Sequence, residues 1–213
     1  MRDDADGQVA LASYPRSGST WLRHMLEQVT GRPSGSIYNE GFLPAGREGI
    51  VVKTHRPMSD GFSRAVHLVR DPFDAISSHF HFMREHRGQE VDWVEFAPQQ
   101  GRRWTRHANF WIGCDLERLL VRYEDMRAEP AAEVSRVVQW LGFDISEGDV
   151  RTVADASTTT RMRALYPRAG STFFREGLVG TGIDDFHEEQ VARLLERAAP
   201  AMRQLGYLRS ADI

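Results

Sequence analysis

The stretch "QVALASYPRSGSTWLRHMLEQV" (8–29) constrains the fold of this chain more than any other. Its first part, "QVALASY" (8–14), is a short apolar run that stops at Pro15, as a buried strand does. After a turn of small polar residues, Trp21, Leu22, Met25, Leu26 and Val29 return at helical spacing, and Gly31 and Pro33 end that pattern. A strand that feeds directly into a helix commits the chain to an α/β arrangement, because the helix must bury its apolar stripe against a sheet.

The pattern recurs. "GIVVKTH" (49–55), "RAVHLVRD" (64–71) and "LERLLVRYED" (116–125) read as further strands. Residues 31–49, with five Gly and two Pro, read as loop. Pro72 opens a helix to about Met83, and a Trp- and Arg-rich helical region spans 91–113. Pro130 starts another helix that closes at Leu141 and Gly142, and Ser146 with Asp149 resembles a capping box. Residues 156–186 are mixed, and 187–207 form an amphipathic helix expected to kink at Pro200. Strands alternating with helices imply a three-layer α/β/α architecture on a central parallel sheet, here as one domain over 1–213. Ligands of such sheets gather beyond the carboxyl ends of the strands, which singles out 15–20, 53–55, 70–78 and 123.

Composition narrows the setting. With 41% hydrophobic residues and a net charge of −3, the 213 residues suit an ordinary soluble protein and give no sign of a nucleic-acid binder. Cys114 is the single cysteine, which excludes an intrachain disulfide and fits a reducing compartment. The start, "MRDDADGQ", has no apolar core of a signal peptide, and no run reaches the ~20 apolar residues of a membrane span. A cytoplasmic location without a membrane partner is expected; oligomeric state is not readable. Lys+Arg total 27, of which only Lys53 is lysine. An arginine-favouring genome explains the bias, so Lys53 is informative only through its surroundings.

Those surroundings are chemical. Backbone amides and the Ser17, Ser19 and Thr20 hydroxyls at a helix N-terminus can cradle an anion, although the loop lacks the Walker lysine pattern. His55 at a strand end can accept a hydroxyl proton, and Lys53, two residues earlier, shares its face of the strand. Read alone, these are equally a backbone-bonded histidine and a solvated lysine. Arg70 ends a strand, with Ser77 and Ser78 on the following helix; a guanidinium fork and a hydroxyl suit a phosphate. Read alone, Arg70 would more often pair with Asp71 or Asp74. His79, His81 and His86 do not stack on one helical face, so no metal site is expected.

In order along the chain, these segments resemble the cytosolic-type sulfotransferases. "YPRSGSTWL" is similar to their 5′-phosphosulfate loop, usually Tyr-Pro-Lys-Ser-Gly-Thr-Thr-Trp, and "KTHRP" to their Lys-Thr-His-x-Pro segment. "VRDPFDAISSHFHF" resembles their 3′-phosphate segment, "VRYEDM" the strand whose Tyr lines the adenine pocket, and "FFREGLVG" (173–180) the late loop over the nucleotide. The resemblance implies a P-loop-type sulfotransferase fold. It also implies a donor, 3′-phosphoadenosine 5′-phosphosulfate (PAPS), a small-molecule hydroxyl acceptor and adenosine 3′,5′-bisphosphate (PAP) as product, with no metal. Arg16, Ser17, Gly18, Ser19 and Thr20 would then hold the 5′-phosphosulfate, and Trp21 would flank adenine. Lys53 would meet the transferring sulfate or bridging oxygen, with His55 as base and Arg16 assisting. Arg70 and Ser78 would bind the 3′-phosphate with Arg175 and the Gly177 backbone. Tyr123 and Ser157 (or Thr158) would lie near adenine.

The chain departs from that pattern at three places: Arg16 for Lys, Glu176 where a Lys or Arg is common, and "GTG" (180–182) for Gly-Asp-Trp. Short acceptor-side loops suggest a shallow, open acceptor site suited to a bulky substrate, such as a phenolic or glycosylated natural product. Of the aromatics Phe80, His81, Phe82, Trp93, Trp104, Phe110 and Trp111, most are expected in the core and some at the acceptor. Two other readings stand beside this one. They are a kinase-like phosphotransferase, disfavoured by the missing Walker lysine, and a catalytically inactive nucleotide-binding relative.

Overall fold

The computed structural model describes residues 7–38, 49–166 and 177–208. It has a central, all-parallel five-stranded sheet flanked by helices, and its contacts divide the chain into two compact units.

The first unit comprises the residues up to Ser13, Ser17–Val69 and Cys114–Thr158. It holds the whole sheet, in the order β2-β3-β1-β4-β5. The strands are β1 (Gln8–Ser13), β2 (Gly35–Ser36), β3 (Val52–Thr54), β4 (Phe62–Val69) and β5 (Glu117–Arg122). β1 is central, with Ala12 opposite Thr54 on β3 and His67 on β4. Burial on both sides explains why β1 and β4 read as near-continuous apolar runs. The helices of this unit are α1 (Ser19–Thr30), α4 (Tyr123–Ala128), α5 (Pro130–Trp140) and α6 (Glu147–Ala156). Their buried faces meet the sheet in one core that includes Leu11, Leu22, Met25, Leu26, Val66, Leu68, Val121, Met126, Val134 and Val137. Ser146 caps α6 as expected, accepting from the Asp149 N–H at 3.1 Å.

The second unit comprises Tyr14–Arg16, Arg70–Gly113 and the residues from Thr159 on. Helix α2 (Pro72–His81) runs into a π-helical turn (Phe82–His86), followed by α3 (Trp93–Gly113), α7 (Thr159–Leu165), a 3-10 turn (Gly182–Asp185) and α8 (Glu188–Gln204). Asp71 caps α2, accepting from the Phe73 and Asp74 amides, and Pro72 takes the first turn, where its missing N–H is not needed. α3 lies close on α8: a Cβ at Gly101 would meet Leu194 Cδ1 at 2.9 Å. Pro200 lies inside α8, which continues to Gln204.

Several boundaries move. The second strand is Val52–Thr54 rather than 49–55, and the two-residue β2 lies in the stretch read as loop. β4 ends at Val69, leaving Arg70 just beyond the sheet, and β5 ends at Arg122. Tyr123 therefore opens a helix rather than ending a strand; Glu124 and Asp125 behind it favour the positive end of α4. The mixed region 156–186 contains α7 and the 3-10 turn.

Candidate active site

Each unit carries its own group of the expected residues. In the first, Gly18 caps α1 in a left-handed conformation, φ 95°, with no side chain capping the helix among the described residues and no acid in its first turn. The positive end of the helix is thus left for a ligand. Ser17 is fully buried and its Oγ has no hydrogen-bond partner among the described residues. A buried hydroxyl without a partner is costly, and an anion in the loop would satisfy it. The Trp21 and Leu22 amides turn back to the Gly18 carbonyl at 3.0 and 3.1 Å. Ser19 is buried and Thr20 half-buried in the same turn.

Beside this loop, Trp21 donates its indole N–H to the Ser157 carbonyl at 2.7 Å and meets the Tyr123 ring edge-on at 6.4 Å. Ser157 gives its own hydroxyl to the Val153 carbonyl at 2.7 Å. Its tie to Trp21 therefore runs through its backbone. Gly18 is pressed against Tyr123, whose Cδ2 would lie 2.6 Å from a Cβ at position 18.

At the end of β3, His55 Nδ1 lies 2.6 Å from the Ser13 carbonyl oxygen. A carbonyl only accepts, so Nδ1 carries a proton and donates it to this bond. The His55 backbone N–H donates to the Tyr38 hydroxyl at 2.9 Å, and the two rings lie 5.6 Å apart. Lys53 pairs in register with Leu11 and Ser36, two positions before His55 and half-buried.

In the second unit, Arg16 adopts φ 68°, unusual for a residue with a side chain. Its Nε donates to Ser78 Oγ at 3.4 Å, and its guanidinium lies 4.8 Å from the Phe82 ring centre. Arg70, 7% exposed, donates to the Arg16 carbonyl at 3.1 Å and to the Leu178 carbonyl at 2.8 Å. Its own carbonyl accepts from the Trp104 indole at 3.2 Å. The structure thus brings Arg16, Arg70 and Ser78 together. Gly177 is half-buried; Arg175 and Glu176 lie outside the described residues.

Tyr14 donates to Gln100 Oε1 at 2.8 Å, so its oxygen accepts from His79 Nδ1 at 3.3 Å. Burial, with Arg16 and Arg103 adding to it, lowers the His79 pKa to about 4. Burial pushes the Tyr14 phenol above its usual range. Of the seven residues of the aromatic stretch only Phe80, Trp104 and Trp111 are buried; His81, Phe82, Trp93 and Phe110 are half-buried, so fewer than expected lie in the core. Among the described residues no group of three or more His, Cys, Asp or Glu side chains could hold a metal ion, and no helix is long and apolar enough to cross a membrane.

Sequence reasoning missed the Ser13 carbonyl, the Tyr38 hydroxyl and the role of Asp74, which accepts from the Gly180 and Gly182 amides. A backbone carbonyl carries no residue signature. The Gly-Thr-Gly run was the one visible sign of a close backbone approach.

A family model of the sulfotransferase domain matches residues 47–206, a span that includes Lys53, His55, Arg70, Tyr123 and Gly177 and begins after the 15–20 loop. A WSCD family member of Drosophila melanogaster is 32% identical over 163 residues, covering 65% of this chain and 51% of that protein. Sulfotransferase 6B1 of Mus musculus is 27% identical over 224 residues, covering 89% and 74%. The chain spans about half the length of the WSCD relatives it matches. Among solved structures, a mouse sulfotransferase complexed with PAP superposes with TM-score 0.78 at 21% identity, covering 95% of this chain and 86% of that one. Retinol dehydratase in complex with androsterone and inactive cofactor PAP gives 0.73 at 19%, covering 97% and 83%. The domain match makes the assignment: the chain belongs to the sulfotransferase family.

Proposed function

We propose that this chain moves a sulfuryl group from PAPS to a hydroxyl of a small-molecule acceptor and releases PAP. The observation that carries the reading is the 2.6 Å hydrogen bond from His55 Nδ1 to the Ser13 carbonyl, which supports a role for Nε2 as the base. Family membership supports it, as does the uncapped α1 N-terminus with the buried Ser17 hydroxyl. PAP, the product of this donor, is the ligand named for the mouse structural neighbour.

In this reaction the acceptor hydroxyl attacks sulfur in line with the bridging oxygen, and its proton passes to His55 Nε2. The new S–O bond forms as the bridging S–O bond breaks, and the electron pair of that bond leaves with PAP. Such a transfer asks the protein for alignment and charge neutralisation. The amides of 17–20 with the Ser17, Ser19 and Thr20 hydroxyls take the 5′-phosphosulfate. Lys53 and Arg16 neutralise charge at the bridging oxygen. Arg70 and Ser78, with Arg175 and the Gly177 backbone, take the 3′-phosphate. Trp21, Tyr123 and the Ser157 region flank adenine. We read 1–213 as one sulfotransferase domain, cytoplasmic, with no metal in the scheme and a bulky, phenolic or glycosylated acceptor.

The test is His55→Ala. Mass gain of one sulfate on a panel of alcohols and phenols should vanish, while calorimetry finds PAP affinity within a few fold of the parent. A variant with full transfer activity removes His55 as the base. Tighter binding of ATP with Mg²⁺ than of PAP by the parent protein overturns the donor.

A further inference from the structure

Two backbone amides of one segment converge on a single carboxylate. Asp74 Oδ2 accepts from the Gly180 N–H at 2.8 Å and Oδ1 from the Gly182 N–H at 2.7 Å. Asp74 is 3% exposed, and its Oδ2 lies 3.9 Å from Arg70 Nη2. That same Nη2 donates to the Leu178 carbonyl at 2.8 Å, two residues before Gly180. The contacts close a ring: the carboxylate holds the strap 178–182, and the strap holds the guanidinium.

The strap has no slack at this point. A Cβ at Gly182 would lie 2.5 Å from Asp74 Cα and 2.6 Å from Asp74 N. Beyond it, Ser77 Oγ donates to Asp185 Oδ2, and Phe186 packs edge-on against Phe73 at 5.0 Å and Trp93 at 4.8 Å. All these partners lie on or beside α2, so the strap follows the helix that begins two residues after Arg70.

We propose that Asp74 is a positioning residue that sets the Arg70 guanidinium through the 178–182 strap, and so tunes recognition of the nucleotide 3′-phosphate. This rests on the reading of Arg70 as the ligand of that phosphate. A carboxylate offers two acceptor oxygens to two amides; the asparagine amide offers one and turns an N–H₂ toward the other. Losing one charge-assisted bond frees the strap, and the Leu178 carbonyl no longer orients Nη2. A guanidinium that must reorient on binding recognises its phosphate less tightly, while parts of the nucleotide away from it are held as before.

The experiment compares PAP with adenosine 5′-monophosphate, which lacks the 3′-phosphate, by calorimetry on the parent, Arg70→Ala, Asp74→Asn and Gly182→Ala. Asp74→Asn weakens PAP about tenfold and leaves adenosine 5′-monophosphate within about twofold, a coupling of ordinary size. Gly182→Ala, which keeps the Asp74 carboxylate but sets a methyl against the Asp74 and Phe73 backbone and so displaces the strap, gives the same selective loss and decides the matter if Asp74→Asn does not fold. Equal weakening of both nucleotides, or no weakening, overturns the proposal. If Arg70→Ala itself shows no selectivity for PAP, the underlying assignment of Arg70 fails instead.

Discussion

Replacing Gly18 by alanine tests the geometry of the anion loop most directly. Gly18 sits at φ 95°, and a Cβ there would lie 2.6 Å from Tyr123 Cδ2, 3.0 Å from Cε2 and 3.3 Å from Met126 Cε. Holding a non-glycine residue in the left-handed region costs about 1–2 kcal/mol. Forcing a methyl into a packed site costs about 1–3 kcal/mol more. Tyr123 is 7% exposed and Met126 is fully buried, so neither can swing into solvent to absorb the overlap. Gly18→Ala should therefore destabilise the protein by about 2–5 kcal/mol, lowering the urea midpoint by about 1–2 M at unchanged slope. A loop displaced to relieve the overlap would move its amides, and PAP affinity should fall with stability. In a Tyr123→Ala background the overlap term disappears and only the ~1–2 kcal/mol backbone term remains. An alanine variant with the parent's midpoint, or with the same loss in both backgrounds, refutes the argument from close approach.

Ser17→Ala separates binding from folding. It deletes a buried hydroxyl that has no partner among the described residues, so stability should stay level or rise slightly, whereas PAP affinity should fall by about 1 kcal/mol; a parallel loss of both refutes the cradle role. Acid should weaken the fold through two buried histidines. Burial lowers His79 to about 4 and, with Arg118 adding, His67 to about 3, both from 6.5. Between those values the unfolded chain binds more protons, so stability is full above pH ~6.5 and is lost as pH falls, by about 3 kcal/mol for His79 alone. His79→Asn, which keeps a donor at the Nδ1 position, should flatten the urea midpoint's pH dependence between 6.5 and 4; an unchanged slope refutes it. His55→Ala and Asp74→Asn complete the set, read by sulfate transfer and by nucleotide selectivity.

Much of the sheet was legible because both its strands and its helices carry strong local periods. β1 and α1 fall where the apolar run and the helical spacing put them. The ends were less legible. β3 spans only three residues, although the buried Ile50 and Val51 before it still bond toward β2, the Ile50 N–H to the Pro33 carbonyl and the Gly35 N–H to the Val51 carbonyl. β2 has only two residues, too short for any alternation to show. Tyr123 reads as the end of an apolar run, yet the acids behind it make it the start of a helix.

The site divides the same way. Residue types and spacing pointed to the loop 15–20, the Lys53–His55 pair and the Arg70–Ser78 pair as candidates, because ligands of a parallel sheet gather beyond its strand ends; the roles proposed for them came from the family resemblance. The sequence thereby determined an α/β fold, the strand-end residues and a family resemblance that the domain match bears out. The tertiary structure alone decided that His55 Nδ1 holds a proton, since the deciding partner is a carbonyl 42 residues away. It also decided that Tyr123 closes on Gly18, and that Asp74 grips amides 106 and 108 residues further along. Periodicity tells each segment which face to bury; only packing tells that face what it meets.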